Sequence, residues 1–460
     1  MTKILNISEL TSRDNSCDII GRIYFLDDRI IRVINNDYRD QLIDFFSSGM
    51  MQELIEKKLI PNTWISEFTT SDSNLILESS LITRWSYAYE WSFNMLKDAA
   101  HSILLINDIL NKYGYELVDP HQENITFFNN KPIYIDLGSI RKKYDSAWSG
   151  FEAYLLSVYT PLKLMSDSLD SVARSVLRLE YTISPDEGLL IRSCFFRNFP
   201  RLAKCFSSLS NNIYRASNLS NSNLSRIKFS HLFYFLKKLA IWIMLYKQVC
   251  FNKKLIKMPA PKLSYSWSNY HDNFEISKAH RLLLITDIIN TLHDAHSLTE
   301  VAANQGKFSE YILDNTSINF IIATDRDPLA VDKMYLSNKF RENFLALVYD
   351  CTNPYAIGYR ATFPDRMRSD VVLCLALIHH LILTFNIDLD YIFNCLSKLT
   401  SKYILIEFMP LGLYSNGESI SLPIFYTEDW FKSIFTKYFS IIRIDRLEAN
   451  RILYVGQLST

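Results

Sequence analysis

The sequence predicts two architectures in series: an α+β domain with a helical lobe, followed by an α/β domain built on a mostly parallel sheet. Three observations carry this. From residue 277 onward, helical and apolar strand-like segments alternate, the pattern of a parallel sheet covered by helices. In that region apolar runs repeatedly end in polar residues, which is where ligands sit in an open α/β sheet. Before residue 145, short strands with hairpin turns alternate with long helical runs.

Taken in order, residues 19–26 and 29–34 flank Asp27-Asp28 and read as a hairpin. Residues 38–59 follow with helical apolar spacing broken only by Gly49, and 94–113 form a second helical run with Gly114 as its C-cap. Two strands, 125–128 and 132–136, are joined by Asn129-Asn130-Lys131, a hairpin signal. Residues 145–260 read as helical, interrupted by the serine- and asparagine-rich 207–225, and the two prolines of 257–261 mark a linker. The tail predicts a helix over 427–438 and strands over 440–446 and 451–457. The expected domains are therefore 1–145, 146–260 and 261–460.

Composition excludes several classes of function. With 49 basic and 49 acidic residues the formal net charge is zero, so no global field draws the chain to nucleic acid or anionic membrane. The seven cysteines (17, 194, 205, 250, 351, 374, 395) stand singly, which fits reduced thiols in a cytoplasmic protein and excludes a disulfide framework or zinc ribbon. The first twenty residues lack the charged start and long apolar stretch of a signal peptide. The most apolar segment, 229–251, contains Lys237, Lys238 and Lys247 and has no unbroken run of about 18 apolar residues, so no transmembrane span is expected. It reads as a packed helix with a strongly apolar face, peripheral membrane contact being the alternative. Glycine is scarce at 11 residues, so a glycine at a motif position carries more weight than usual.

The polar strand ends form an ordered series: Ser-Leu-Thr-Glu-Val-Ala-Ala-Asn-Gln-Gly (297–306), Phe-Ile-Ile-Ala-Thr-Asp-Arg-Asp (320–327), Leu-Ala-Leu-Val-Tyr-Asp-Cys (345–351), Asp-Val-Val-Leu-Cys-Leu-Ala-Leu-Ile-His-His-Leu (370–381) and Tyr-Ile-Leu-Ile-Glu-Phe (403–408). A lone Asp after a strand is most often a turn residue or helix cap, and a lone glycine is most often structural. Four such positions in order resemble a class I S-adenosylmethionine-dependent methyltransferase with a Rossmann-like sheet. The resemblance implies a tight strand-to-helix turn at Glu300, Ala302, Asn304 and Gly306, where the family pattern acidic-x-Gly-x-x-x-Gly has Ala302 in place of its first glycine. It implies that Asp325, followed by Arg326, accepts the ribose hydroxyls, and that Asp350 accepts from the adenine amino group with Cys351 beside the ring. A carboxylate only accepts hydrogen bonds, which suits both partners.

Methyl transfer needs alignment more than acid–base help, and a neutral histidine can take a hydroxyl proton. The resemblance places His379, His380 and Glu407 near the cofactor's methyl end as catalytic candidates. Adjacent histidines point in different directions, so the sequence nominates both; packing or capping is the plainer role for either alone. His293-x-x-His296 lacks a third ligand and reads as a solvated helix end, so no metal site is expected.

Residues 117–124 (Leu-Val-Asp-Pro-His-Gln-Glu-Asn) and 133–138 (Ile-Tyr-Ile-Asp-Leu-Gly) form a second constellation, similar to the catalytic and metal loops of the protein-kinase and aminoglycoside-phosphotransferase superfamily. That resemblance places Asp119 as catalytic base, Asn124 as metal-binding asparagine and Asp136 in the magnesium-binding Asp-x-Gly. The phosphate grip is missing: only Gly21 stands where a glycine-rich loop belongs, and Arg32 takes the approximate place of the strand lysine, with Glu53 or Glu56 on the following helix. The halves together resemble a bacterial family of two-part proteins, some described as nodulation-related, in which a kinase-like segment precedes a methyltransferase. The shared stretches are 87–100, 117–140, 267–272 and the strand-end series. Tyr89, Glu90, Trp91, Ser92 and Lys97 are too polar and aromatic for helix propensity alone, and a packing surface between the halves is the plainer reading of them.

The expected function is S-adenosylmethionine-dependent O- or N-methylation of a small-molecule or glycan-type acceptor, with a degenerate kinase-like half. A bifunctional kinase–methyltransferase and a non-catalytic binding or scaffold protein with a decayed cofactor site are the alternatives. The acceptor's identity and the oligomeric state are left open.

Overall fold

The computed structural model describes residues 3–7, 10–12, 18–72, 74–145, 147–178, 255–263, 267–268, 272, 280–354, 360–415, 418–419 and 421–459. The predicted loop at 207–225 and the apolar helix at 229–251 lie outside the described residues.

The amino-terminal half opens with β1 (Lys3–Ile4), β2 (Thr11–Ser12), β3 (Gly21–Leu26) and β4 (Arg29–Ile34), then β5 (Thr63–Ile65), β6 (Phe68–Thr69) and β7 (Ile76–Ser80). Five of them form an antiparallel sheet in the order β2-β3-β4-β7-β5, and β1 pairs in parallel with β6. The hairpin expected at 19–34 is β3–β4, turning at Asp27, whose φ is 54°. The single helix expected over 38–59 is two, Arg39–Ser47 and Met50–Glu56. Gly49 divides them because it adopts φ 83°, a left-handed value that an α-helix cannot continue through.

The Phe93–Lys112 helix is capped by the Ser92 hydroxyl, ends before Gly114 (φ 79°), and buries Met95, Leu96, Ala99, Ile103, Ile106 and Leu110 at three- and four-residue spacing. Beyond it β8 (Tyr115–Leu117) pairs with β11 (Ile140–Lys142), and β9 (Ile125–Phe128) pairs with β10 (Lys131–Tyr134). Asn129 and Asn130, at φ 49° and 57°, form the two-residue turn of that hairpin, as left-handed-tolerant asparagines do. Lys131 belongs to the strand rather than to the turn. Helices Phe151–Tyr154, Thr160–Ser166 and Asp170–Arg178 follow.

The carboxyl-terminal half is a doubly wound α/β layer structure. Its strands are β12 (Ser297–Val301), β13 (Phe320–Asp325), β14 (Phe344–Val348), β15 (Ser369–Cys374) and β16 (Thr400–Phe408), with a short hairpin of β17 (Tyr414–Ser415) and β18 (Glu418–Ser419) before β19 (Phe439–Glu448) and β20 (Arg451–Leu458). The sheet order is β14-β13-β12-β15-β16-β20-β19, parallel throughout except at β20. β12 is buried along its whole length, which is why it reads as a continuous rather than alternating run. Chain order reverses between β12 and β15, so the topological switch point, where ligands bind in such sheets, lies at the carboxyl ends of these two strands. The predicted tail is present as the Glu428–Phe435 helix and the β19–β20 antiparallel pair.

The two halves are joined by specific contacts. Asp332 on the Pro328–Asn338 helix accepts from the Asn94 backbone N–H (2.8 Å) and side chain (2.6 Å). Tyr335 donates to Asp98 at 2.6 Å, and Lys58 and Lys131 share Glu342 at 2.6 and 3.1 Å. Arg366 makes a fully buried ion pair with Glu90. Segment 87–100 thus packs between the halves. The expected linker at 257–261 is docked as well: the carbonyls of Met258 and Pro259 accept from Lys97 (3.0 Å) and Ser166 (2.7 Å).

Candidate active site

The switch point is built by a turn that the backbone makes with three left-handed residues in five. After β12 the chain passes Ala302 (φ 55°), Asn304 (φ 52°) and Gly306 (φ 74°) before the Lys307–Asn315 helix begins. Gly306 has no room for a side chain, since a Cβ there would lie 2.6 Å from Met334 Cγ. Ala302 is exposed, so its strained backbone carries no packing in return.

Asp325, at the end of β13, organises this turn. Its Oδ2 accepts the Asn304 N–H and its Oδ1 the Asp327 N–H, both at 2.8 Å. A carboxylate has about four acceptor sites, so two remain for a ligand. Burial pushes its pKa up, against those two N–H donors, which favour the charged form. Glu300 sits behind the turn, fully buried beside Ser309, with burial pushing its pKa up to about 7 while Ser309 and Arg281 hold it down. The Asn304 Oδ1 is buried and has no hydrogen-bond partner.

Trp267, Ser268 and Asp272 cover the turn. The Trp267 carbonyl accepts from Asn304 Nδ2 (2.7 Å), and the Ser268 carbonyl from Gln305 Nε2 (3.0 Å). Asp272 accepts from Gln305 at 2.6 Å and pairs with Lys333 at 2.7 Å, while the Ser268 hydroxyl donates to Asp327. Trp267, Ser268, Gln305 and Asp327 carry no assigned role in the sequence reading. The Asp327-Pro328 pair is a helix-start signal, and Asp327 Oδ1 does cap Leu329 N–H at 2.8 Å.

At the end of β14, Asp350 is exposed and bends back on Thr352, accepting from its N–H (2.9 Å) and hydroxyl (2.6 Å). Cys351 is buried, and burial pushes its thiol pKa up, so it is a neutral apolar neighbour. Arg326 projects beside Asp325 with its guanidinium 4.6 Å over the Phe385 ring.

The two histidines lie on the Ile378–Leu383 helix with ring centroids 4.2 Å apart. His380 is half-buried and meets the exposed Trp267 edge-on at 5.4 Å, which puts it at the rim. Burial, then the Arg326 charge, lowers its pKa, so it is neutral at pH 7. His379 lies deeper, its Nδ1 has no hydrogen-bond partner, and burial pushes its pKa down to about 3.

Glu407 differs from its expected place. It is not at a strand end but within β16, opposite Leu453, and is fully buried. Its Oε2 accepts the Ala376 N–H (2.9 Å) and Arg451 (2.8 Å), and Arg281 lies 3.4 Å from both oxygens. Two guanidiniums and a backbone N–H thus occupy this carboxylate. It fixes the Ala376 turn (φ 49°) that launches the histidine helix.

In the other half, Asp119, Asn124 and Asp136 do come together. Asn124 Nδ2 reaches the Asp119 carbonyl (3.0 Å) and carboxylate (3.3 Å), and Asp136 Oδ1 caps the Gly138 N–H at 2.9 Å. Burial raises the pKa of Asp136, against Gly138 and Arg32, with Asp18 and Asp119 adding to the rise. The expected partner of Arg32 is not on the following helix: Arg32 pairs with Asp18 at 2.6 Å, and Glu53 pairs with Lys112 (2.8 Å) and Tyr113 (3.1 Å). Glu53 lies in the first turn of the Met50–Glu56 helix, and Lys112 and Tyr113 close the Phe93–Lys112 helix.

No family model matches the chain. It is 27% identical over 421 residues to the nodulation protein NoeA of Rhizobium meliloti (strain 1021), an alignment covering 85% of this chain and 83% of that protein. Among solved structures, the N-methyltransferase NodS from Bradyrhizobium japonicum WM9 in complex with S-adenosyl-l-homocysteine is 9% identical, with a TM-score of 0.33 over 43% of this chain and 94% of that one. Magnesium protoporphyrin IX methyltransferase from Synechocystis PCC 6803 with bound SAM is 11% identical, with a TM-score of 0.31 over 43% and 86%. WbdD with the kinase inhibitor LY294002 is 14% identical, with a TM-score of 0.31 over 41% and 43%.

Proposed function

We propose that this chain is an S-adenosylmethionine-dependent methyltransferase acting at oxygen or nitrogen of a small-molecule or glycan-type acceptor. The observation that carries the reading is the switch-point turn at 302–306 closed onto Asp325, at the carboxyl ends of a doubly wound sheet. The residues fit the cofactor. Asp325 retains acceptor sites for two ribose hydroxyls, Asp350 and Cys351 stand at the next strand end, and the orphaned Asn304 Oδ1 is a buried acceptor awaiting a donor. Glu300 and Gly306 hold the turn from behind, and Arg326 flanks it.

The cofactor supplies an electrophilic methyl, and the chain's task is alignment. His380, neutral and at the rim beside Trp267, is the group that would take an acceptor proton; His379 backs it, and Glu407 positions their helix through Ala376. The same reading extends to the amino-terminal half as a degenerate kinase-like domain, supported by its five-stranded sheet and the gathering of Asp119, Asn124 and Asp136. Its lack of a phosphate grip argues against a bifunctional enzyme.

The test is calorimetric titration of the full chain with S-adenosylhomocysteine, S-adenosylmethionine and Mg-ATP. The first two should bind, and Asp325→Ala should abolish that binding by removing the ribose acceptor. Equal affinity in variant and wild type would sink the assignment, and no wild-type binding would favour the scaffold alternative.

A further inference from the structure

The wall of the candidate cofactor site nearest the Asp350–Cys351 turn is held by residues of the other half. Tyr349, immediately before that turn, gives its backbone N–H to the Asp325 carbonyl at 3.0 Å. Its ring lies flat on Phe363, with centroids 3.7 Å apart and planes 12° from parallel. Its hydroxyl is buried and has no hydrogen-bond partner, so stacking rather than a polar anchor sets where the ring sits.

Phe363 is pinned in turn. Arg366, three residues along the same short helix, lies over the Phe363 ring at 5.6 Å and over Tyr87 at 4.4 Å. Its guanidinium donates to Glu90 (2.5 and 3.2 Å) and to the carbonyls of Trp85 (2.5 Å) and Ala361 (3.2 Å). Glu90 is itself fixed, since its Oε2 also accepts the Tyr87 N–H at 2.9 Å. A second strut runs parallel: Arg360 bonds Glu123 at 2.5 Å and the Arg178 carbonyl at 2.6 Å, beneath the stacked rings of Tyr87 and Tyr89. Both arginines precede β15, and among the described residues their partners outside 360–366 belong to the amino-terminal half.

We propose that the amino-terminal half completes the cofactor site: Glu90 is a positioning residue that, through Arg366 and Phe363, fixes Tyr349 and hence the Asp350–Cys351 turn against Asp325. The inference rests on the cofactor reading above. A buried ion pair contributes little net stability but specifies one arrangement strongly, because removing one partner leaves an uncompensated buried charge. Chains of packed side chains with few alternatives are how such specification reaches a neighbouring site. Tyr87 and Glu90 fall in the 87–100 stretch, whose polar and aromatic character this role explains.

The experiment uses the full chain with Glu90→Gln and Phe363→Leu, Phe363→Tyr as the conservative rescue, and Lys131→Met as a control that cuts a different contact between the halves. Two readouts are taken: amide hydrogen exchange over 347–353 without ligand, and the dissociation constant for S-adenosylhomocysteine. Glu90→Gln and Phe363→Leu should speed exchange across 347–353 and weaken binding about tenfold, while Phe363→Tyr and Lys131→Met leave both near wild type. Should Glu90→Gln fail to fold, Phe363→Leu carries the test. Unchanged exchange in Phe363→Leu, or an equal effect from Lys131→Met, overturns the proposal. A wild-type chain that does not bind S-adenosylhomocysteine overturns the cofactor reading instead, and the exchange data still decide whether Glu90 fixes the turn.

Discussion

Ala302→Gly should separate two effects of one methyl group. Ala302 adopts φ 55°, and for an L-residue the left-handed conformation costs about 1–2 kcal/mol, a penalty glycine does not carry. Glycine instead adds unfolded-state entropy that costs about 0.4–1 kcal/mol. Ala302 is exposed, so no buried contact is lost. The net expectation is a stabilisation of about 0.5–1 kcal/mol, or roughly 2 °C in the melting transition of a domain this size. Backbone strain is present with and without ligand, so it leaves affinity untouched; only contact between the methyl and the cofactor can change it. S-adenosylhomocysteine should therefore bind more tightly to the glycine variant if the methyl crowds the cofactor. Scanning calorimetry reads the first effect and titration calorimetry the second. A lower melting temperature for the variant would refute the left-handed assignment at 302, whatever the affinity does.

Gly306→Ala should destabilise the carboxyl-terminal half by about 2 kcal/mol or more, because the position has φ 74° and the added Cβ would overlap Met334; a melting curve indistinguishable from wild type would exclude that packing. Glu300 has a folded pKa of about 7 against an ordinary 4.5, so the folded state holds the extra proton between those values and stability falls as pH rises from about 4.5 to about 7. Glu300→Gln should remove that slope, worth on the order of 3 kcal/mol at most, and parallel denaturation profiles for the two proteins across this window would show the burial argument to be wrong. With labelled ATP and magnesium, wild type and Asp136→Asn should be equally silent; turnover or autophosphorylation that depends on Asp136 would promote the bifunctional reading.

The parallel core of the carboxyl-terminal sheet was legible because β12, β13 and β14 are short, largely buried runs with a polar residue at or just beyond their ends. Asp325 was nominated for the same reason, and it does end β13. Glu407 shows where that logic fails. A glutamate near the end of an apolar run looks like a strand-end ligand, yet one further residue of β16 puts it inside the sheet, and only tertiary structure brings Arg281 and Arg451 to it. The cover from Trp267 and Ser268 was unreadable for a related cause: 37 residues separate each from Asn304 and Gln305, and the bonds between them run largely to backbone carbonyls, which no side-chain pattern encodes.

In the amino-terminal half, the charged groups that the kinase-like resemblance singled out are paired within the protein. Arg32 and Asp18 are a buried pair, the Arg32 Nε donating to the Asp18 carboxylate at 2.6 Å. Glu53, on the helix where a strand cation would find its partner, closes a helix end with Lys112 and Tyr113. Glu123, one residue before Asn124, is bonded to Arg360 of the other half. Two of the three contacts lie within this half, and the third joins it to the carboxyl-terminal half. Phosphoryl transfer requires free cations aimed at a ligand, because its catalysis is almost wholly positioning and charge stabilisation. Among the described residues Arg32 and Arg360 pair with Asp18 and Glu123, the arrangement expected of the proposed bracing between the halves.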